Sequence, residues 1–534
     1  MRRSRLISLV LYFLSLLPFS VFSQQPEFLR GRLFDSQTGE PVAFATIRIK
    51  DRAMGVISNQ DGSFQFPEKF KDYGEMLEIS SMGYGTKDVK ISGLSPFDIN
   101  VIRLNPGIFE LEEAVVAAKG KRLSAKRIVQ TAIDRIPINY PNYPYSLVGY
   151  YRDYQLENRN YVNLNEGILE VFDAGFSEDD LQTSKVQMYD YTNNTDFERD
   201  SLAERPYDYK NHNKTIDNAY LSSYGGNEFT ILRIHDAIRN YKIGSYDFIH
   251  RFQKDFIKEH VLKKDGESAI NGESMYVISA TKKIDNHRVI GKLYISKSNF
   301  AIHKLEYTIY LLPKPGEKSS RLASNNSEKL ILDTVVEYRP NGPNMFLNFI
   351  SFSNTFRLSM PPKYKVNEVV AELGNNRFTV KMNKIGLQED LVDLKNYKIE
   401  FMGKKVKIDY LQFYKNDVFV YPKIQEGDSL FIKIAEASSE DSKLLEDFMK
   451  FDFGKIRDRE GNVLNQPWFK PYNQFREFFV QQVNKGKEVV ADSLLMRKTR
   501  PLYYELQPMS KPDNFDEYWM NTPLQSAKSQ ATVK

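Results

Sequence analysis

The sequence predicts a mainly β protein with some α-helix, in which an N-terminal seven-stranded β-sandwich precedes a larger α+β body built on an antiparallel sheet. Two observations support this fold class. The 534 residues include 32 Tyr and 36 Phe, which are residue types enriched in strands. Apolar and polar residues also alternate over many short segments separated by turn-forming residues. At roughly 150 residues per domain, the length indicates about three domains.

The composition and its shifts along the chain suggest how these domains are arranged. The expected parts are a leader (1–23), the β-sandwich (28–105), a linker (106–120), an α+β domain containing the antiparallel sheet (121–435), and a C-terminal helical region with a polar tail (436–534).

The amino-acid counts exclude several kinds of chemistry. The chain has no Cys, which rules out disulfides, thiolate metal sites and a cysteine nucleophile. Its six His are scattered, so a metalloenzyme site is hard to build. The formal charge of +5 comes from Lys and Arg spread through the chain, and this distribution predicts no nucleic-acid partner.

The first residues indicate export. Arg2, Arg3 and Arg5 precede an apolar stretch at 6–22, and residues 21–23 form a small-x-small cleavage site. This is the pattern of a secretory signal peptide, with an N-terminal membrane anchor as the alternative. Because an exported protein without Cys suits a bacterial envelope, we expect a periplasmic or outer-membrane-associated location.

The first domain is expected to be a small sandwich of short strands. Gly39, Gly62 and Gly83 are expected at turns, and Asp61 with Gly62 fits a hairpin turn. The predicted strands lie at 29–34, 42–49, 55–58, 63–66, 76–80, 89–91 and 101–104.

Five motifs in order, at 31–35, 38–46, 58–64, 79–84 and 102–104, resemble the carboxypeptidase-like regulatory domain family. The resemblance implies a transthyretin-like β-sandwich that is appended to some zinc carboxypeptidases and is not their catalytic part. It therefore implies an accessory or docking module.

The segment that follows the sandwich, at 111–116, is similar to a Glu-rich motif found after this domain in TonB-dependent outer-membrane receptors. The rest of the chain lacks the Gly-rich plug signature of those receptors. It is also too short for a 22-strand barrel at roughly ten residues per strand plus loops, so we reject a receptor.

The central region combines helices with a meander of strands. A helix is predicted at 124–136 with Ser124 as N-cap, and further helices at 229–238 and 248–257. Antiparallel strands are predicted at 274–281, 291–296, 301–310, 330–338 and 346–352.

This strand rhythm is faintly similar to the half-barrel of periplasmic lipoprotein carriers. The similarity implies a concave sheet that could hold an apolar ligand, and a purely structural sheet is the alternative.

Two aromatic clusters invite functional and structural interpretations. One consists of the tyrosines 140, 143, 145, 150, 151 and 154, which could stack sugar rings or could form an aromatic strand. The other lies in a predicted C-terminal helix at 466–480, after a first one at 441–453. There Tyr472, Phe475, Phe478 and Phe479 would share one helical stripe, for the core or for a partner.

No catalytic constellation stands out. In His303-x-x-Glu306 the two residues lie three apart in an alternating strand, so they point to opposite faces and cannot share a metal. Carboxylate pairs such as Glu166 and Glu170 are unspecific among 69 acidic residues. We therefore predict no catalytic, cofactor-binding or metal-binding residue.

These observations predict a non-enzymatic binding or assembly protein of the bacterial cell envelope, with an accessory sandwich domain. Its expected partner is an outer-membrane or periplasmic protein, with a glycan or a lipid as further options, and no cofactor is expected. Two alternatives remain open. One is an envelope hydrolase that uses dispersed carboxylates on a glycan or peptide. The other is a lipid or lipoprotein carrier with a concave sheet.

Overall fold

The structure is a computed structural model that describes residues 27–50, 54–81, 83–106, 123–157, 160–216, 226–244, 248–270, 273–313, 329–423, 430, 432–433, 449–503 and 505–524. The predicted leader and nearly all of the predicted linker lie outside these residues. The chain forms two compact units. Unit 1 comprises 1–199, 223–354 and 474–534, and unit 2 comprises 200–222 and 355–473.

The N-terminal domain belongs to unit 1 and is built from short strands. They are β1 (Phe28–Asp35), β2 (Thr46–Ile49), β3 (Gly55–Ile57), β4 (Ser63–Pro67), β5 (Met76–Ser80), β6 (Lys87–Lys90) and β7 (Ile99–Leu104). They form two sheets, ordered β4-β1-β7 and β3-β2-β5-β6, whose buried side chains share one core. Gly62 has φ +74°, and a Cβ there would lie 2.3 Å from the Leu33 carbonyl oxygen, so the turn requires glycine.

A large sheet belongs mostly to unit 1. Its strands are β8 (Tyr145–Glu157), β9 (Asn160–Asp173), β10 (Lys185–Asn193), β12 (Val261–Ile270), β13 (Glu273–Ile284), β14 (His287–Ser296), β15 (Ile302–Leu311), β16 (Lys329–Asn341), β17 (Asn344–Met360) and β25 (Trp468–Lys485). Their order is β10-β9-β8-β25-β17-β16-β15-β14-β13-β12. The predicted antiparallel meander from β13 to β17 is confirmed.

Short helices connect the strands. They are α1 (Ala125–Asp134), α2 (Ile136–Asn139), α3 (Asp180–Thr183), α4 (Ser201–Glu204), α5 (Glu228–Ile234), α6 (Phe256–Glu259) and α7 (Gln388–Leu391). The predicted N-cap of α1 is confirmed, because the Ser124 hydroxyl accepts a hydrogen bond from the Arg127 amide at 3.2 Å. Among the described residues, no helix has the length and apolarity needed to cross a membrane.

The predicted helix at 466–480 is wrong, because this segment belongs to strand β25. Phe478 pairs with Tyr151 and Phe479 with Tyr150, so the two phenylalanines point to opposite faces of the sheet. Both are buried. Buried polar residues, among them Arg476 and Glu477, lie between the aromatic residues and give them a helical spacing, so periodicity alone cannot tell this buried strand from a helix. The same ambiguity affects 441–453, whose described part, 449–453, is a strand.

Unit 2 is also built from strands. They are β11 (Lys214–Thr215), β18 (Val366–Glu372), β19 (Arg377–Met382), β20 (Tyr397–Phe401), β21 (Lys404–Val406), β22 (Ile408–Tyr414), β23 (Asp417–Pro422) and β24 (Met449–Phe453). Two sheets, ordered β18-β19-β23-β22 and β21-β20-β24, share a core that includes Phe378, Val420 and Ile399. The unit boundaries near 200, 355 and 473 do not follow the expected division at 435.

Candidate functional site

Buried acids occur in unit 1, and the first group is an ion network rather than an acid–base pair. Asp173 at the end of β9 accepts hydrogen bonds from Arg239 Nε and Nη2, both at 2.9 Å, and from Arg233 Nη2 at 3.0 Å. Arg233 also pairs with Asp180 at 2.5 Å. Burial alone would raise the pKa of Asp180, but the two arginines outweigh it and lower that pKa to about 2. Two carboxylates thus face two guanidinium groups, an arrangement that holds structure.

A second acid has a pKa in the range of a general base. Burial, together with the neighbouring Glu228, raises the pKa of Asp153 to about 7. Its two oxygens already accept hydrogen bonds from the Tyr151 hydroxyl at 3.0 Å and from Asn165 Nδ2 at 2.9 Å. Asp153 is only 4% exposed, so a substrate could not reach its carboxylate in this arrangement. Arg476 Nε donates a hydrogen bond to the Glu228 carboxylate.

Glu166 and Glu170, the carboxylate pair named from the sequence, lie on β9 and are buried. Tyr150 donates to Glu166 at 2.5 Å, and Ser146 donates to Glu170 at 2.5 Å. Lys487 lies 2.8 Å from Glu170 as an ion-pair partner. Both acids therefore have their hydrogen bonds satisfied within the sheet.

The tyrosine cluster at 140–154 is an aromatic strand rather than an open sugar platform. Tyr143 is 37% exposed, whereas the other five rings are buried. Tyr151 packs edge-to-face on Phe229 of α5 at a centroid distance of 5.3 Å. Phe229 in turn contacts Phe478 of β25 at 5.2 Å.

A concave sheet that holds a lipid needs an open face. Here other segments of the chain pack on the large sheet. Helix α5 packs on Tyr151 of β8. His260, which follows α6, has its Nε2 atom 2.8 Å from the Tyr307 hydroxyl of β15. The Tyr140 hydroxyl donates to the Ile302 carbonyl at 2.8 Å. At these positions the sheet is covered by the chain's own side chains, and an acyl chain bound there would have to displace them.

An exposed aromatic surface lies on unit 2, on the outer side of its four-stranded sheet. We call it the tyrosine face and define it by Tyr410, Gln412 and Tyr414 of β22, Phe419 and Tyr421 of β23, and Arg377 of β19. Alternation places these residues on one side, because their neighbours Val418 and Val420 point into the core. Tyr410 is 46% and Tyr414 is 64% exposed.

The side chains of the tyrosine face hold one another in place. The rings of Tyr410 and Tyr421 stack at 4.3 Å with planes 13° apart, and the Arg377 guanidinium lies 4.0 Å from the centre of the Phe419 ring. Arg377 Nη1 donates to the Tyr421 hydroxyl at 3.1 Å, and that hydroxyl donates to Gln412 at 3.3 Å. The face is therefore ordered before any ligand arrives.

A carboxylate at the rim fixes the arginine. Glu372 accepts hydrogen bonds from Thr379, from Asn375 at 2.8 Å and from Arg377 Nε at 2.8 Å. Chiefly through the hydrogen bonds from Thr379 and Asn375, the pKa of Glu372 is lowered to about 2. The hydrogen bond to Tyr421, with help from Glu372, raises the pKa of Arg377. The outer guanidinium edge thus stays charged and oriented.

This surface was not predicted from the sequence. The missed pattern was the hairpin at 408–422, in which aromatic residues occupy both faces of β22. A strand with one solvent face normally carries polar residues there. Aromatic residues on both faces depart from this pattern and could have marked the site.

The fold and the site together define a mainly β protein with an N-terminal sheet domain and a preordered aromatic surface. Residues 29–116 match the family model of the CarboxypepD_reg-like domain, which confirms the predicted resemblance for this segment. No curated protein matches the chain.

Two solved structures show partial similarity. One is a LolA superfamily protein from Nitrosomonas europaea, with 13% identity over 44% of this chain and 86% of that chain, at a TM-score of 0.18. The other is a DUF1329 family protein from Desulfovibrio piger, with 9% identity over 44% of this chain and 87% of that chain, at a TM-score of 0.23. Similarities this weak do not establish a shared function.

Proposed function

We propose that this protein is an exported, non-catalytic binding protein of the bacterial envelope, and that it holds a protein partner on the tyrosine face of unit 2. The observation that carries the proposal is the exposure of Tyr410 and Tyr414 beside an arginine that is already paired and oriented. Tyr and Arg are enriched at protein interfaces, where they supply large contact area at low entropic cost.

The ring arrangement favours a protein over a glycan. A sugar-binding platform offers ring faces on which a pyranose can lie. The stacked pair of Tyr410 and Tyr421 instead packs face against face, so each ring covers one face of the other. One face of each of these two rings is therefore closed to a sugar, and the hydroxyls and the guanidinium edge of Arg377 beside them suit the polar and aromatic side chains of a protein.

The accessory domain fits the same proposal. We take the N-terminal domain to be the transthyretin-like sandwich that the sequence suggested, held on the large sheet as a rigid support. Arg152 of β8 donates to Asn59 of this domain, and Asn521 Nδ2 donates to the Ile57 carbonyl at 2.6 Å. Trp519 inserts into the domain's core, 5.6 Å from Phe66.

Photo-crosslinking in the native cells tests this function. A photoreactive phenylalanine replaces Tyr414 in one variant and Tyr143 of unit 1 in the control, since both are exposed tyrosines. We expect a single protein adduct of defined mass from position 414 and none from position 143. The same adducts from both positions, or none from either, would contradict the proposal.

A competition experiment adds specificity. The photoreactive group is placed at Gln412, and Tyr410→Ala and Tyr414→Ala are introduced together. If the two rings are interface anchors, the adduct should fall by about tenfold or more. Tyr143→Ala in the same background should leave the adduct unchanged.

A further inference from the structure

We infer that the ligand of unit 2 is an extended acidic peptide segment that adds as a new strand to the open edge of β22. This inference rests on the proposed function and deepens it, because it names the chemistry of the partner. The recognition would combine backbone hydrogen bonds along the strand with contacts to the exposed rings beside it.

The backbone of β22 has one side available. Among the described strands, β22 ends its sheet and pairs only with β23. Lys415 and Asn416 form the two-residue turn between them, so Tyr414 and Asp417 are the first hydrogen-bonded pair. Because hydrogen bonding alternates along an antiparallel strand, Leu411 and Phe413 direct their amide and carbonyl groups away from β23.

These outward groups have no backbone partner among the described residues. An open edge of this kind offers a template for another strand, and proteins usually protect such edges with lysine, proline or a covering segment. Residues 408–414 contain no Lys and no Pro, and Asp409 is their single charge. The edge is therefore long, aromatic and nearly uncharged, as a strand-addition site requires.

Side chains on both faces could receive those of an added strand. Tyr410 and Tyr414 stand on the outer face, and Phe413 on the opposite face is 37% exposed. The short 3₁₀ turn Leu394–Asn396 lies beside β22 and adds Leu394, which is 43% exposed. Apolar residues at alternate positions of the incoming peptide could contact Phe413 and Leu394.

Charge complementarity identifies the peptide as acidic. Residues 404–423, which contain β22, include five Lys and two Asp. Lys404, Lys405 and Lys407 directly precede the strand and are exposed. None of the three forms an ion pair with any residue that the structure describes. Carboxylates on an added strand would meet this unneutralised positive charge.

A binding measurement on the full exported chain tests the inference. The probe is a short fluorescein-labelled peptide of alternating Val and Glu, and the control peptide alternates Val and Lys. We expect the Val-Glu peptide to bind, the Val-Lys peptide to bind at least about tenfold more weakly, and the affinity to fall as salt is raised.

Two kinds of variant separate the backbone from the charge. Leu411→Pro and Phe413→Pro each remove one outward amide without removing a bond to β23, and should abolish binding. Reversal of Lys404, Lys405 and Lys407 to Glu should weaken binding by about tenfold or more. The matched control reverses three exposed lysines of unit 1 to Glu and should bind normally; these are Lys254, Lys258 and Lys283.

Amide hydrogen exchange gives a readout on the unaltered protein, in case the proline variants fail to fold. Added Val-Glu peptide should increase protection at Leu411 and Phe413 by about tenfold or more, while Gln412, already bonded to β23, changes little. Unchanged protection at both positions would overturn the inference.

Other outcomes would also overturn it. These are binding that survives both proline variants, self-association of the chain through β22, and binding of anionic vesicles in place of the peptide. The failure of this inference differs from failure of the proposed function. If the adduct at Tyr414 forms but the peptide does not bind, the partner contacts the tyrosine face without adding a strand.

Discussion

One buried ion pair of the large sheet lies at its junction with the N-terminal domain. Arg152 Nε donates to Glu477 at 2.7 Å, and both side chains are at most 3% exposed. Arg152 Nη2 lies 2.5 Å from the same oxygen without the angle of a hydrogen bond, so we count one hydrogen bond and one charge contact. Burial opposes the charge of Arg152, but Glu477 and the neighbouring tyrosines together outweigh burial and raise the pKa of Arg152.

Arg152→Met should therefore lower the free energy of unfolding of unit 1 by about 3–5 kcal/mol, because it leaves the Glu477 carboxylate buried and uncompensated. It also removes the hydrogen bond to Asn59 of the N-terminal domain. Urea unfolding measures the loss. Trp519 reports on the junction if the second of the two tryptophans is removed by Trp468→Phe.

A double-mutant cycle measures how much the Arg152–Glu477 ion pair itself contributes to the free energy of unfolding. Arg152→Met with Glu477→Gln removes both charges and should recover about 2 kcal/mol or more relative to the sum of the single losses. Lys398→Met breaks a pair whose side chains are 65% and 73% exposed, and should leave unfolding unchanged. A single loss below about 1 kcal/mol, or strictly additive losses, would refute the argument.

Three further predictions concern unit 1. Asp173→Asn should cost about 3–5 kcal/mol in urea unfolding, because it leaves Asp180 alone to balance the two buried guanidinium groups of Arg233 and Arg239. Trp519→Ala should cost about 3–5 kcal/mol and expose the N-terminal domain to limited proteolysis. The folded pKa of Asp153, about 7 against 3.8 as the ordinary value, means that the unfolded chain loses its proton first as pH rises. Stability should therefore fall by about 4 kcal/mol between about pH 4 and 7, and Asp153→Asn should remove that fall when both proteins are unfolded at about pH 4.5 and 7.5.

Much of the fold was predictable from the sequence because a strand face that is buried carries apolar residues and a face in solvent carries polar ones. The alternation of β13 to β15 and the turn at Gly62 identify local structure without tertiary information. The prediction failed at β25, where the large sheet is covered on both faces. Whether a segment that is buried on both faces forms a helix or a strand depends on partners that are distant in sequence, here β8.

The candidate site was less predictable. Arg377 and Tyr421 are 44 residues apart and meet only because β19 and β23 are neighbours in the sheet. The raised pKa of Asp153 likewise depends on Glu228 of α5 and on burial, neither of which a local pattern can show. Sequence motifs identified the family of the N-terminal domain, whose glycines and core residues are fixed by its own turns and packing.

The location of the tyrosine face follows from a conflict between local pattern and solvent exposure. If β22 were only structural, its outer positions would carry polar residues, as Lys381 does on β19. Instead Tyr410 and Tyr414 remain exposed although burying aromatic area is favourable. Residues whose type conflicts with their local environment are concentrated at functional sites, because they cost stability and are kept for another role. A binding role for β22 accounts for both the exposed rings and an edge that has no backbone partner in the described part of the chain, whereas a purely structural role accounts for neither.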